Sequence, residues 1–239
     1  MPVDQRAIIA ANNNAHLYEA MFDAHGLRHT RLPFAFLGQD APPPSYSNLT
    51  ILAPNQQDDC RAEIAKLAQV FAGRVGLKDS FCQMELAANG FTPLFKASWL
   101  WREASASADP GNWQTVETPA DLLLWEQAWK SSGSPTPQCM FPPQLLCHPD
   151  VHFLGEFFDG AFQAGCIANR SADCIGISNV FAATPSAATY PRATAAVAAL
   201  DPNLPIVGYE SGDDLDRALT AGFETTGTLR ILVAENARF

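Results

Sequence analysis

The chain has 239 residues, is 47% apolar and 17% charged, and carries a formal net charge of −10. That length supports one large or two small globular domains, and no apolar run reaches the ~18 residues of a membrane span. The acid is concentrated: residues 1–106 net −1 and residues 107–239 net −9, which argues against nucleic acid as a partner, since that needs a basic footprint. A cationic partner or substrate fits, as does an acidic surface that serves solubility alone.

The N-terminus, MPVDQRAIIAANNNAHLYEA, lacks the basic start, apolar middle and small-residue cleavage site of a signal peptide. The six cysteines form no C-x-x-C pair, and in a chain this long they read as reduced and mostly buried, consistent with a cytoplasmic protein.

In chain order, a helix is expected from Asn14 to Ala24, stopped by Gly26. Pro42-Pro43-Pro44 excludes regular structure and leads into a strand from Ser47 to Leu52. A helix follows, with Asn55 as its cap, Asp58 and Asp59 near its positive end, and an apolar stripe of Cys60, Ile64, Leu67 and Phe71. Next come a strand at Val75-Gly76-Leu77, a helix ending at Asn89-Gly90, and a strand from Leu94 to Trp101. Residues 103–112, small, polar and closed by Pro110-Gly111, mark a boundary, giving domains of 1–106 and 107–239.

The second domain opens with a helix capped by Thr118, with Pro119 at its first position and Asp121 in its first turn. Leu122, Trp125 and Trp129 line one face. A Ser/Pro-rich loop precedes a meander: Val151 to Phe158, the hairpin turn Asp159-Gly160, Ala161 to Asn169, then Cys174 to Ala182. The remainder reads helix (189–200), strand (205–209), helix (213–221), strand (228–234).

Three anchors recur at an offset of 131 or 132 residues: Ser47-Asn48 and Ser178-Asn179, Val75-Gly76 and Val207-Gly208, Gly90-Phe91 and Gly222-Phe223. They point to an internal duplication, each copy a small domain.

The order of elements in residues 113–239, ending in helix, Gly222-Phe223 and strand, resembles the GNAT superfamily of N-acetyltransferases, with residues 45–102 as a shortened copy. The resemblance implies an α/β (α+β) fold: a mixed, mostly antiparallel sheet flanked by helices, in a tandem, pseudo-twofold arrangement. It implies an acyl-CoA-dependent N-acetyltransferase acting on a small-molecule amine, with acetyl-CoA as cosubstrate and direct attack in a ternary complex. The alternative is a GNAT-derived ligand-binding or regulatory protein without catalysis. No nucleic-acid or membrane partner is implied.

The same resemblance places pantetheine along Ser178, Asn179, Val180 and Phe181, and the pyrophosphate at the start of the next helix, with Ser186, Thr189 and Arg192. Glu210 becomes the general base and Tyr209 a hydrogen-bond donor across the gap. The chain departs from the family here. Ala183 to Arg192 contains no glycine where the family has Arg/Gln-x-x-Gly-x-Gly/Ala, and Ala218 stands where a thiolate-protonating tyrosine is usual. In the first copy, Ala53 to Gln57 also lacks glycine, and Leu86 holds the tyrosine position.

Each residue also has a plainer reading: Glu210 as a solvated acid beside Asp213 and Asp214, Tyr209 as core, Ser178-Asn179 as a bulge or strand pairing. Asn169-Arg170 reads as acceptor contact or turn start. His148 and His152, separated by Pro149, are not expected to hold a metal. Trp99, Trp101, Trp125 and Trp129 read as core.

Overall fold

The computed structural model describes residues 2–70, 73–105 and 109–235. Among them are five α-helices and eleven strands. Two compact units divide the chain: residues 1–99 with 226–239, and residues 100–225.

In the first unit, α1 (Gln5–Ala24) is followed by β1 (His29–Arg31), β2 (Ala35–Gly38), β3 (Leu49–Ile51), α2 (Gln57–Val70), β4 (Val75–Asp79) and β5 (Thr92–Arg102). The last strand, β11 (Glu224–Ala234), completes this sheet, whose order is β1-β2-β3-β4-β11-β5. All its registered pairs are antiparallel except β3 with β4. The contact division falls within β5, between Trp99 and Leu100, and most of β11 goes with the first unit, where Ala234 to Arg230 pair along Val75 to Asp79.

Helix α1 starts nine residues earlier than expected. Asp4 caps it, accepting from the Arg6 N–H at 2.9 Å. Ala7, Ala10, Ala11 and Ala15 are all buried; docking of this small face outweighs the low helix propensity of Asn12-Asn13-Asn14. The hairpin β1–β2, absent from the sequence reading, is only three residues deep.

Asn55 does not cap α2: it takes a left-handed turn at φ +62, and Gln56 O accepts the first helical bond, from Cys60 N. Cys60, Ile64 and Leu67 face the core as expected; Phe71 lies outside the described residues. The helix expected before Gly90 is only a 3-10 turn, Ala87–Asn89. The buried Asp79 carboxylate explains this. It accepts from Gln83 N and Met84 N at 3.0 and 2.9 Å and from Arg230 Nε at 2.9 Å, so side chains hold the 80–86 backbone in place of a helical ladder.

Lys78 is the other buried charge carrier. It is fully enclosed, its Nζ donates to Asn14 Oδ1 at 2.6 Å and lies 4.6 Å from the Tyr18 ring centroid, and burial lowers its pKa to about 7.

The second unit contains β6 (Trp113–Thr115), α3 (Pro119–Ser131), β7 (Val151–Phe158), β8 (Ala161–Arg170), β9 (Ile175–Ala182), α4 (Thr189–Leu200), β10 (Ile206–Glu210) and α5 (Gly212–Thr220). Its sheet runs β10-β9-β8-β7-β6, antiparallel except for β9 with β10. Thr118 caps α3 through the Asp121 N–H, and Asp159-Gly160 turns the hairpin with both residues at positive φ. One face packs on α3 through Trp125, whose ring meets Phe141, Phe153 and Phe181 edge-on. The other packs on α4 through Leu154, Cys166, Ile177 and Ile206. All four tryptophans read as core are buried.

Both Gly-Phe anchors close their turns in the same way. Gly222 and Gly90 have φ +88 and +86. Each glycine N–H bonds three residues back and each Phe N–H five back: Gly222 to Leu219, Phe223 to Ala218, Gly90 to Ala87, Phe91 to Leu86. The Val-Gly anchors are not equivalent. Val75 packs among the α2-side residues, whereas the α4-side core takes Ile206 rather than Val207. A one-residue slip puts the paired residues on opposite faces.

Candidate functional site

Strands β9 and β10 are joined by a short parallel ladder, Ile175 with Ile206 and Gly176 with Val207. At Gly208 they still touch: a Cβ there would lie 2.7 Å from Ile177 O. Beyond that point the ladder ends, and burial changes with it. β9 is buried at Ile175–Ile177, half-buried at Ser178, Asn179 and Val180, then buried again at Phe181 and Ala182. β10 is buried at Ile206 and Val207 and half-buried at Gly208, Tyr209 and Glu210. Beyond Gly208 the two strands run unpaired and half-buried, and we call this stretch the slot.

A bulge sits in that slot. Against β8, Gly165 faces Phe181 while Ile167 faces Ser178, so β9 carries one extra residue. Asn179, at φ +53, absorbs it, and its Nδ2 donates to Ser178 Oγ at 3.1 Å. A bulge leaves backbone groups unpaired and re-aims side chains. Val180 thereby faces the α4-side core and Phe181 the Trp125 side.

Glu210 ends β10 at the mouth of the slot. Tyr190, from the first turn of α4, donates its hydroxyl to Glu210 Oε1 at 3.2 Å. Desolvation, with the negative charge of Asp214 nearby, raises the Glu210 carboxyl to about 8. Burial pushes the Tyr209 phenol up to about 12 and the Tyr190 phenol well above its usual value, so both remain protonated donors. Phe223 holds Tyr190 in place: the rings meet edge-on with centroids 5.8 Å apart. The Gly-Phe turn therefore seats Phe223, Phe223 seats Tyr190, and Tyr190 orients Glu210.

Tyr190 was missed in the sequence. Its signal is present: a hydroxyl-bearing aromatic in the first turn of α4, three residues before Ala193 on the sheet-facing stripe and next to Thr189, whose hydroxyl the sequence does single out.

Ser186, Thr189 and Arg192 lie together, lining a cleft of about 160 Å³ with Trp113, Glu156, Gln163 and Thr184. Ser186 N donates to Thr189 Oγ1 at 3.2 Å, and no side chain caps α4. Arg192 is not a free cation: its Nη1 lies 3.3 Å from Glu156 Oε1. Ala218, in the family's tyrosine position, is fully buried.

Asn169 and Arg170 end β8, opposite Gly176 and Ile175 at the start of β9 and away from its bulge, and Arg170 pairs with Asp201 at 2.7 Å. His148 Nδ1 accepts from Asp150 N, and desolvation lowers the His152 pKa.

In the first unit, the Ser47-Asn48 stretch is buried. Asn48 is buried; its Oδ1 accepts from Gly76 N at 3.1 Å and its Nδ2 donates to Asp40 O at 3.3 Å, tying β3 to β4. At the start of α2, Gln83 Oε1 accepts from Asn55 N at 2.8 Å, occupying the loop with a side chain.

No protein-family model matches this chain, and no curated protein does. Solved structures do. A GCN5-related N-acetyltransferase from Kribbella flavida superposes with a TM-score of 0.64 at 13% identity, over 95% of each chain. One from Sphaerobacter thermophilus gives 0.53 at 11% identity, over 99% of this chain and 95% of that one. A tandem GNAT protein from the clavulanic acid biosynthesis pathway gives 0.53 at 13% identity, over 87% of this chain and 82% of that one. What this chain shares with all three is the fold of the GCN5-related N-acetyltransferases.

Proposed function

We propose that the protein is an acyl-CoA-dependent N-acetyltransferase acting on a small-molecule amine. The observation that carries this reading is the slot, where the β9–β10 ladder and the burial of both strands fail together beside a half-buried Glu210. Pantetheine would lie along Ser178 to Phe181, taking hydrogen bonds from backbone freed by the Asn179 bulge. The pyrophosphate would meet the uncapped start of α4, with the hydroxyls of Ser186 and Thr189.

Glu210 is the base. A carboxylate that ionises near pH 8 is matched to removing a proton from an acceptor ammonium. The amine nitrogen attacks the thioester carbonyl, the C–N bond forms, and the C–S bond breaks. Of the two protons the ammonium gives up, one goes to Glu210 and the other ends on the leaving sulfur. Tyr209 donates a hydrogen bond across the slot. Tyr190 is a positioning residue, fixing one oxygen of Glu210. The acidic second half of the chain favours a cationic acceptor. The two Gly-Phe turns, whose Gly and Phe N–H groups bond in the same pattern, support an internal duplication in which the second copy holds the site and the first is sealed by Asn48 and Gln83. A cytoplasmic location fits the cysteine usage.

Calorimetric titration with acetyl-CoA, followed by a screen of small amines for acetyl transfer, tests the reading. Micromolar binding and turnover that rises with pH through about 8 are expected; no binding at millimolar ligand would overturn it. A second reading, a GNAT-derived binding protein without catalysis, is favoured by Ala218 in the acid position and the Arg192–Glu156 pair. Binding without turnover of any amine would select it.

A further inference from the structure

Glu156 stands on β7 opposite Trp113 of β6. By strand alternation it shares the face of Leu154, which packs into the α4-side core. The β7–β8 register slips directly after it, between Glu156 and Phe157; bulges of this kind collect beside functional sites. Glu156 and Arg192 line both the cleft at the α4 start and an adjoining one of about 260 Å³, lined also by Asp109 to Asn112.

The pair is loosely made. One guanidinium nitrogen, Nη1, is shared between two carboxylate oxygens at 3.3 and 3.4 Å. The same chain makes tight ion pairs elsewhere, Arg170 with Asp201 at 2.7 Å and Arg28 with Asp40 at 2.6 Å. Charge-assisted pairs of good geometry fall near ~2.7–2.9 Å and often use the guanidinium fork. Here the fork is unused, and the Arg192 side chain is 57% exposed against 24% for Glu156.

We infer that Glu156 is an exchangeable counter-ion for Arg192. It holds the guanidinium at the cleft until a ligand diphosphate takes it over, and so sets the affinity and charge selectivity of the α4 start. The inference rests on the reading of that helix start as a pyrophosphate site. A guanidinium cannot make its best geometry with two anions at once, so a bound anion must displace Glu156 from Arg192. A ligand must therefore carry enough negative charge to outcompete Glu156. A diphosphate does so; a neutral or singly charged ligand does not.

The test is titration of the wild type, Glu156→Gln, Arg192→Gln and the double variant with acetyl-CoA, and with pantetheine, which has no phosphate. Thermal melts confirm folding, which an exposed pair of this kind should barely affect. Glu156→Gln should bind acetyl-CoA about tenfold more tightly, because the ligand no longer competes with a carboxylate for Arg192. Arg192→Gln should bind about tenfold more weakly, the double variant should match Arg192→Gln, and pantetheine should not distinguish any of them. Binding by the wild type with no gain in Glu156→Gln would overturn the counter-ion role and leave the pyrophosphate reading standing. An equal gain in the Arg192→Gln background would also overturn it, since Glu156 would then act by direct repulsion. Absence of acetyl-CoA binding in both wild type and Glu156→Gln would overturn the pyrophosphate reading and this inference together.

Discussion

Replacing Glu210 with Gln should make the protein more stable at alkaline pH and inactive. The carboxyl is raised from 4.5 to about 8 by desolvation and by Asp214. The folded form therefore keeps a proton that the unfolded chain releases between those two values. The folded state binds more protons in that window, so stability falls as pH rises through it, and the full penalty is present above pH 8. The ceiling is 3.5 pH units, about 5 kcal/mol. Glu210 is half-buried, and water at the slot mouth reduces this to ~2–3 kcal/mol. Gln has nearly the same shape and no charge. Melting at pH 5 should then give nearly equal midpoints for the two proteins. At pH 9 the variant should melt higher by about 5–10 °C, while acetyl transfer falls by ~10²–10⁴. A variant equally stable or less stable than the wild type at pH 9 would refute the desolvated-carboxylate argument.

Three further outcomes follow from named contacts. Tyr190→Phe removes the hydrogen bond that holds the Glu210 carboxyl down. A bond worth ~1 kcal/mol moves the midpoint of the pH–rate profile upward by ~0.7 unit, which initial rates across pH 6–10 would show. Lys78→Met should stabilise the first unit by ~1–3 kcal/mol at pH 6.5. The buried amine is lowered from 10.5 to about 7, so the unfolded chain binds the extra proton and stability rises with pH over that range. The gain should shrink steadily toward pH 10 in urea melts. Arg230→Ala should cost ~3–5 kcal/mol, because it leaves the buried Asp79 carboxylate without its cation and frees the 80–86 loop; unfolding midpoints in urea measure it.

Much of the second unit was legible because each element carried its own local signal. Thr118-Pro119 starts α3, Asp159-Gly160 turns the hairpin, and Gly222 ends α5, all set by residues adjacent in sequence. Where tertiary contacts decide, the sequence misleads. The Asn12–Asn14 run looks like a helix breaker, yet α1 passes through it because its alanine face is buried. Residues 80–86 have helical periodicity, yet Asp79 and Arg230, distant in sequence, take their backbone groups. The Val75-Gly76 match is real as letters and false as geometry, since the two valines face opposite ways.

Sequence order alone puts Ser178 to Val180 on β9 and Tyr209 and Glu210 on its parallel neighbour β10, and these five residues are half-buried. Two contacts there are not legible: Tyr190 reaches Glu210 across twenty residues, and Arg192 reaches Glu156 across thirty-six. Both act between elements, and no local pattern encodes such a pairing.

Hydrogen exchange with and without saturating acetyl-CoA tests most directly whether acyl-CoA occupies the β9–β10 slot of the second unit. Protection is predicted at residues 176–182 and 206–212, with residues 47–52 and 75–79 unchanged. Unchanged exchange at 176–182, or protection confined to the first unit, would contradict the account.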